Sequence, residues 1–141
     1  MAILWRDSMS VGNDLSDRDH RYLLCYINTI ELALQTPEEK DILDGAMKQL
    51  YEYALGHFQR EEMIQSKISY PGLQKHRIEH KELLKQLNEI KTSIEKNNDP
   101  KDLIERSSDT INFLRHWLLD HVLQKDKQLQ PFLSDYPKSL Y

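Results

Sequence analysis

Apolar residues recur at intervals of three and four along most of the chain, which is the periodicity of amphipathic α-helices with one buried face. The pattern predicts four helices joined by short loops. They cover residues 16–35, 37 to about 66, 72–95 and 100 to about 127. Ser16, Thr36 and Asp99 are the predicted N-caps, and Pro100 takes the first helical position after Asp99.

Four helices of similar length with short connections predict an all-α, up-down-up-down four-helix bundle. The bundle is expected over about residues 16–128, between an N-terminal arm, 1–15, and a short C-terminal tail, 129–141. A chain of 141 residues suffices for one core, so we expect a single domain covering 1–141. The low content of glycine (4) and proline (5) argues against an all-β fold, which needs many turns.

Charge and composition exclude several classes of function. The chain has 19 Lys and Arg against 23 Asp and Glu, and neither sign is clustered, so we expect no nucleic-acid partner. No apolar run approaches the roughly 20 residues of a membrane span, and Met1–Asp7 is too short and too soon charged for a signal peptide. The single cysteine, Cys25, can form no intrachain disulfide. We therefore expect a cytoplasmic protein without a membrane partner, and a monomer, with an oligomer left open.

Histidine is the residue type that stands out, with 6 in a chain of this size. His57 and Glu61 are four positions apart, and so are His76 and His80. Four residues on an α-helix turn about 40° past one full rotation and rise about 6 Å, so both members of each pair leave the same face. An imidazole with a carboxylate, followed by two imidazoles, is a donor set that iron or zinc takes from adjacent helices.

Five histidines are predicted to meet in one layer near one end of the bundle. His20 lies near the start of the first helix and His121 near the end of the fourth, while the two pairs end the second helix and begin the third. Because chain direction alternates, these four positions fall at the same end. The convergent residues are His20, His57, His76, His80 and His121, with the carboxylate of Glu61.

The alternative is that these are ordinary core residues, as a lone histidine on an apolar face usually is. Five of them with a carboxylate would leave many buried ring nitrogens without partners, which favours a metal site. His116 and Glu62 are rotated away from the inner face and are expected at the surface. Asp126 follows His121 by five residues, about 140° round the helix, so it reaches the layer only if the fourth helix is distorted or ends there.

The number and type of donors decide between metals. Five imidazoles with one or two carboxylates exceed the needs of a four-coordinate zinc ion. They suit two first-row ions bridged by carboxylates, and iron is the usual occupant of such sites in helical bundles. The donor set therefore predicts a pair of iron ions.

Several motif segments occur in a recognisable order along the chain. They are Trp5, Asp17-Arg18-Asp19-His20, His57-Phe58-x-x-Glu61-Glu62, Tyr70-Pro71, His76-x-x-x-His80 and Trp117-Leu118-x-x-His121, with Asp126 five residues further on. In these segments the chain resembles the hemerythrin family, most closely its single-domain bacterial members. The resemblance covers about residues 5 to 127 and fills all seven ligand positions with the family's residue types.

The resemblance implies a ligand set and a function. His76, His80 and His121 would bind one iron, His20 and His57 the other, and Glu61 and Asp126 would bridge the pair of Fe2+ or Fe3+ ions together with an oxo or hydroxo group. The iron with two histidines keeps an open position, at which O2 binds reversibly. The apolar wall of that pocket would consist of Phe58, Leu118, Val122, Leu23 and Trp117.

The implied function is that of an oxygen carrier, store or supply protein and not of an enzyme. Oxygen-activating sites in related bundles use mostly carboxylates, whereas this set consists mainly of neutral imidazoles. Two other functions stay open. One is an O2 or redox sensor that acts through a separate protein partner. The other is a diiron enzyme that reduces peroxide or nitric oxide, or a protein that handles iron itself.

One position departs from the family pattern. Gln65 stands where the family commonly has Met, eight residues after His57 and on the same helix face. Its amide either approaches the site, which predicts faster autoxidation, or lies at a fraying helix end and bonds to a loop.

Overall fold

The computed structural model describes residues 2–141, and the described residues form helices connected by short turns. Three long helices come first: α1 (Asp14–Ala33), α2 (Lys40–Lys67) and α3 (Leu73–Lys96). The fourth arm of the bundle consists of α4 (Pro100–Glu105), α5 (Ser107–His116), a π-helical turn (Trp117–Val122) and α6 (Leu123–Lys127). A 3-10 turn (Asp7–Met9) precedes α1, and α7 (Gln130–Leu133) follows the fourth arm. None of these helices is long and apolar enough to cross a membrane.

The helices pack as the predicted all-α four-helix bundle. α1 packs against α2 and α2 against α3, and the fourth arm closes the bundle against α1 and α3. All four arms contribute fully buried side chains to one core, among them Ile27, Leu50, Leu87 and Leu114. Burial of an aliphatic side chain of this size stabilises a fold by about 1.5–3 kcal/mol. The expected fold class is therefore confirmed.

Two helices begin at other residues than the sequence predicted. α1 is capped by Asn13, whose side chain accepts a hydrogen bond from the Ser16 N–H at 3.0 Å, so Ser16 lies inside the helix. α2 begins at Lys40, because the preceding residues form a turn in which the Glu39 N–H bonds to the Thr36 carbonyl at 3.1 Å. Thr36 is therefore not the N-cap of α2.

The fourth arm contains a π-helical turn where the sequence predicted an unbroken helix. A π turn takes up one more residue than an α turn and so rotates everything that follows it about the helix axis. Leu114, Leu118, Val122 and Asp126 are buried at successive intervals of four, which would drift around an ideal α-helix. The wider turn keeps these residues on the inner face and thereby carries Asp126 into the bundle.

The N-terminal arm and the C-terminal tail close the end of the bundle that holds the predicted ligands. A second apolar cluster of four buried residues forms there: Val11, Ile64, Leu129 and Leu133. Ile64 and Leu129 each follow a predicted ligand, Glu61 or Asp126, by three residues. A hydrogen bond from the Asn13 side chain to the Leu140 carbonyl, 2.6 Å long, also joins the N-terminal arm to the C-terminal tail. This end of the bundle is thus sealed by apolar side chains.

Candidate metal centre

Six side chains of metal-ligand type meet in the interior near this end of the bundle. None of them exposes more than 2% of its surface. They form two overlapping groups, in each of which the ligand atoms all lie within 4.8 Å of one another. One group is His20, His57, Glu61 and Asp126, and the other is Glu61, His76, His80 and Asp126. Both carboxylates therefore belong to both groups.

Asp126 occupies the centre of the cluster. Its Oδ2 atom lies 2.6 Å from Nε2 of His20 and 2.9 Å from Nε2 of His57, and its Oδ1 atom lies 3.0 Å from Nε2 of His76. Helical spacing alone did not place this residue in the histidine layer, because an undistorted helix would turn it away. The π turn supplies the distortion that its position requires.

Glu61 makes the corresponding contacts from α2. Its Oε1 atom lies 2.9 Å from Nε2 of His76 and 3.5 Å from Nε2 of His80, and its Oε2 atom lies 3.2 Å from Nε2 of His57. The His57 nitrogen is closer to Asp126 and carries at most one proton, so Oε2 is left without a hydrogen bond. Glu61 thus lies between both histidine pairs, as a bridging ligand must.

Asp19, a residue that the sequence did not indicate for the site, holds the outer nitrogen of His57. Its Oδ2 atom lies 3.1 Å from Nδ1 of His57 and accepts a hydrogen bond from Nε of Arg60 at 2.8 Å. The hydroxyl of Tyr53 donates to Oδ1 at 2.7 Å. Burial alone would raise the pKa of Asp19, but the hydrogen bonds from His57, Arg60 and Tyr53 lower it well below its usual value. A charged Asp19 keeps the proton of His57 on Nδ1 and directs Nε2 inward.

Glu62 does the same for His80, although the sequence placed it in solvent. Its Oε2 atom lies 2.9 Å from Nδ1 of His80, and its Oε1 atom accepts a hydrogen bond from Nε of Arg77 at 3.0 Å. The expectation was wrong because Glu62 faces the groove between α2 and α3 and exposes only 23% of its side chain. Glu62 follows Glu61 directly and is rotated about 100° from it on α2, which turns its side chain toward α3.

His121 is the one predicted ligand that the structure does not bring to the cluster. Its side chain is only partly buried, and its Nε2 atom lies 3.1 Å from Nε2 of His116. The two rings are perpendicular, with centroids 4.7 Å apart. The π turn directs the next residue, Val122, into the core and leaves His121 beside it on the outer side. His116 is exposed, as expected.

Several nitrogen and oxygen atoms of these buried side chains have no hydrogen-bond partner in the protein. His80 Nε2, Glu61 Oε2 and His20 Nδ1 are all buried without a hydrogen-bond partner. Burial by itself would lower the pKa of His76, but its contacts with Asp126 and Glu61 raise it to about 10. Protonated imidazoles balance the charge of the two buried carboxylates in the metal-free protein. A metal cation can take the place of these protons and bind the same nitrogen atoms. The donor set therefore fits first-row metal ions.

Apolar residues surround the histidine cluster. The Phe58 ring stacks on the His80 ring, with centroids 4.0 Å apart and planes at 11°. Trp117 is buried and donates from Nε1 to the Leu83 carbonyl at 2.9 Å. All five residues predicted for the pocket wall are at most 1% exposed: Phe58, Leu118, Val122, Leu23 and Trp117. Water therefore has little access to the cluster.

Gln65 reaches the cluster. α2 continues to Lys67, and the Gln65 side chain is fully buried, so it does not lie at a frayed helix end. Its Nε2 atom donates to Oε1 of Glu61 at 3.1 Å, while its own carbonyl oxygen has no hydrogen-bond partner. Of the two alternatives for this position, the structure shows the approach to the site.

Comparison with known proteins identifies relatives along nearly the whole chain. The family model described as "Hemerythrin HHE cation binding domain" matches residues 11–133. A bacteriohemerythrin of Clostridium acetobutylicum is 29% identical over 128 residues, which are 89% of this chain and 96% of the relative. A bacteriohemerythrin of Methylococcus capsulatus is 24% identical, covering 95% of this chain and 99% of its own. A hemerythrin-like protein of Naegleria gruberi is 22% identical over 92% of both chains.

Proposed function

This chain belongs to the hemerythrin family, and from that premise we propose that it holds two iron ions in its buried cluster and uses them to bind O2 reversibly. The observation that carries the proposal is that the two ligand groups share both carboxylates, Glu61 and Asp126. Two carboxylates common to two pairs of imidazoles suit two neighbouring ions bridged by oxygen donors.

In this proposal the two ions are held unequally. His20 and His57 would hold the first ion, His76 and His80 the second, and Glu61 and Asp126 would contribute to both. His121 is proposed as the third imidazole of the second ion, which requires its ring to leave His116. The first ion would then have fewer protein donors than the second, and iron at this position would supply the electrons for the binding of O2.

The chain's own residues fix the ligands and keep the site dry. Asp19 and Glu62 hold the outer nitrogens of His57 and His80, so that both rings present Nε2 to the interior. Phe58 and the other buried apolar residues exclude water from the cluster. Exclusion of water and protons slows the irreversible oxidation of ferrous iron, which a carrier must avoid.

We propose a binding protein in preference to an enzyme because of the donor set. The two groups contain four imidazoles and two carboxylates, whereas oxygen-activating bundle sites consist mainly of carboxylates. Neutral donors give less support to the high oxidation states that break the O–O bond. The location of the protein in the cytoplasm and its monomeric state stay predictions.

The proposal is tested by iron quantification and an O2 titration. Protein loaded anaerobically with ferrous salt and desalted is expected to retain about two irons per chain. It should develop colour with O2 and lose it again under vacuum. Colourless protein with at most one iron per chain would contradict the proposal. Catalytic turnover of peroxide or nitric oxide would favour the enzyme, and O2-dependent binding of a second protein would favour the sensor.

A further inference from the structure

A second group of metal-binding side chains lies on the outer face of the fourth arm. The Nε2 atoms of His116 and His121 are 3.1 Å apart. On the other side of the His116 ring, Nδ1 lies 2.6 Å from Oδ2 of Asp120. The side chains of His116 and Asp120 are 62% and 57% exposed, so the group is open to solvent.

The π turn brings the two histidines together. They are five residues apart in the sequence, which on an α-helix would separate them by about 140°. A π turn closes from one residue to the fifth after it, and so places residues at this spacing on the same face. The contact between His116 and His121 is therefore a product of the same distortion that carries Asp126 inward.

The arrangement of nitrogens is that of a metal chelate. Asp120 keeps a proton on Nδ1 of His116 and leaves Nε2 as an acceptor, which is how carboxylates orient metal-binding imidazoles. Two imidazole nitrogens bound to one ion at about 2.0–2.1 Å lie about 2.9 Å apart in adjacent octahedral positions and about 3.3 Å apart in a tetrahedron. The observed separation of 3.1 Å falls between these values. An ion can therefore replace the shared proton with little movement of the rings.

We propose that His116 and His121 form an outer site for a divalent first-row metal ion, which captures the ion on its way to the buried cluster. The inference rests on the proposed function, in which His121 is the third imidazole of the second ion. The partly exposed side chain of His121 would thus bind the ion first at the outer site and then in the buried cluster. Two imidazoles and water bind an ion more weakly than the buried groups do, so the ion can move on.

The first experiment measures the rate of loading. Uptake of Fe2+ by metal-free protein is followed anaerobically in competition with a coloured ferrous chelator. His116→Ala is expected to slow uptake by on the order of tenfold, since it removes one of two linked donors. The final iron content should equal that of the wild type. Asn112→Ala, an exposed residue one turn before His116, is the control and should load at the wild-type rate. Equal rates for His116→Ala and the wild type would overturn the inference.

The second experiment detects the outer site directly. Asp126→Asn removes a shared carboxylate from the buried cluster and leaves the outer histidines in place. Titration of this variant with Zn2+ should shift the ring nitrogen resonance of His116 Nε2, because His116 is not a proposed ligand of the buried cluster. Absence of this shift would overturn the inference. A wild-type protein that retains no iron would instead contradict the proposed function, so the two failures are distinguishable.

Discussion

Oδ2 of Asp126 lies 2.6 Å from Nε2 of His20, although the two residues are 106 positions apart in the chain. The same carboxylate also contacts His57 on α2 and His76 on α3. One side chain on the fourth arm therefore joins all three other arms of the bundle at a single point. The centre depends on the orientation of α6, which the π turn determines.

We expect Asp126→Asn to lower the iron content from about two ions per chain to one or fewer. Asn has nearly the same shape, but its neutral amide cannot bridge two cations, and its NH2 group would face buried imidazoles. The measurement is iron per chain after anaerobic loading and desalting, with circular dichroism to check the fold. Asp135→Asn, at an exposed position in the tail, is the control and should retain full iron. A full iron content in Asp126→Asn would contradict the bridging role.

We expect Asp19→Asn to weaken metal binding by about 10- to 100-fold, the usual cost of losing a carboxylate behind a metal-binding histidine. The variant leaves every proposed ligand in place but removes the charge that orients His57. Its metal affinity is measured by chelator competition at a fixed pH. Asp14→Asn, at an exposed position on the same helix, should bind as the wild type does. Equal affinities for Asp19→Asn and the wild type would show that His57 needs no such support.

The sequence was sufficient for the residues whose positions follow from helical spacing. His57 and Glu61, and likewise His76 and His80, are placed together by the four-residue interval alone, whatever the neighbouring helices do. The bundle likewise follows from the lengths and apolar faces of the helices.

The sequence was insufficient where contacts depend on a distorted helix or on the neighbouring helix. Asp126 enters the cluster, and His121 meets His116, through a π turn that the spacing of single residues does not reveal. The sign in the sequence was the run of intervals of four from Leu114 to Asp126. Asp19 and Glu62 were missed for another reason: they reach histidines on an adjacent helix, and such contacts depend on how the two helices pack.

Metal-free protein is expected to lose stability as the pH rises from about 6.5 to 10. Contacts with two carboxylates raise the pKa of His76 to about 10 in the folded chain, against about 6.5 in the unfolded chain. A raised pKa contributes stability that is complete below the unfolded value and is lost as the pH passes through the folded value. The melting temperature should fall by roughly 5 °C or more over this range.

Thermal unfolding of metal-free protein at several pH values checks this expectation. His76→Gln should flatten the dependence, because the variant has no imidazole to titrate at this position. Asn112→Gln, at an exposed position without a titratable group, should leave the dependence unchanged. A flat wild-type profile would show that the buried carboxylates are balanced without a proton on His76.

Gln65→Met is expected to slow the conversion of the O2-bound form to the oxidised form by several-fold. Gln65 donates a hydrogen bond to Glu61 and brings into the cluster a carbonyl oxygen that has no partner. Such an oxygen can accept a hydrogen bond from a water molecule and so hold water near the cluster. Met would replace it with an apolar thioether that fills irregular space. The same change removes a buried unsatisfied acceptor and so should raise the stability of metal-free protein by about 1 kcal/mol.

The rate is measured from the decay of visible absorption in air, with Gln59→Met, exposed on the same helix, as the control. If Gln65→Met and the wild type oxidise at the same rate, the amide only supports the position of Glu61, and access of water to the cluster is controlled elsewhere in the apolar wall.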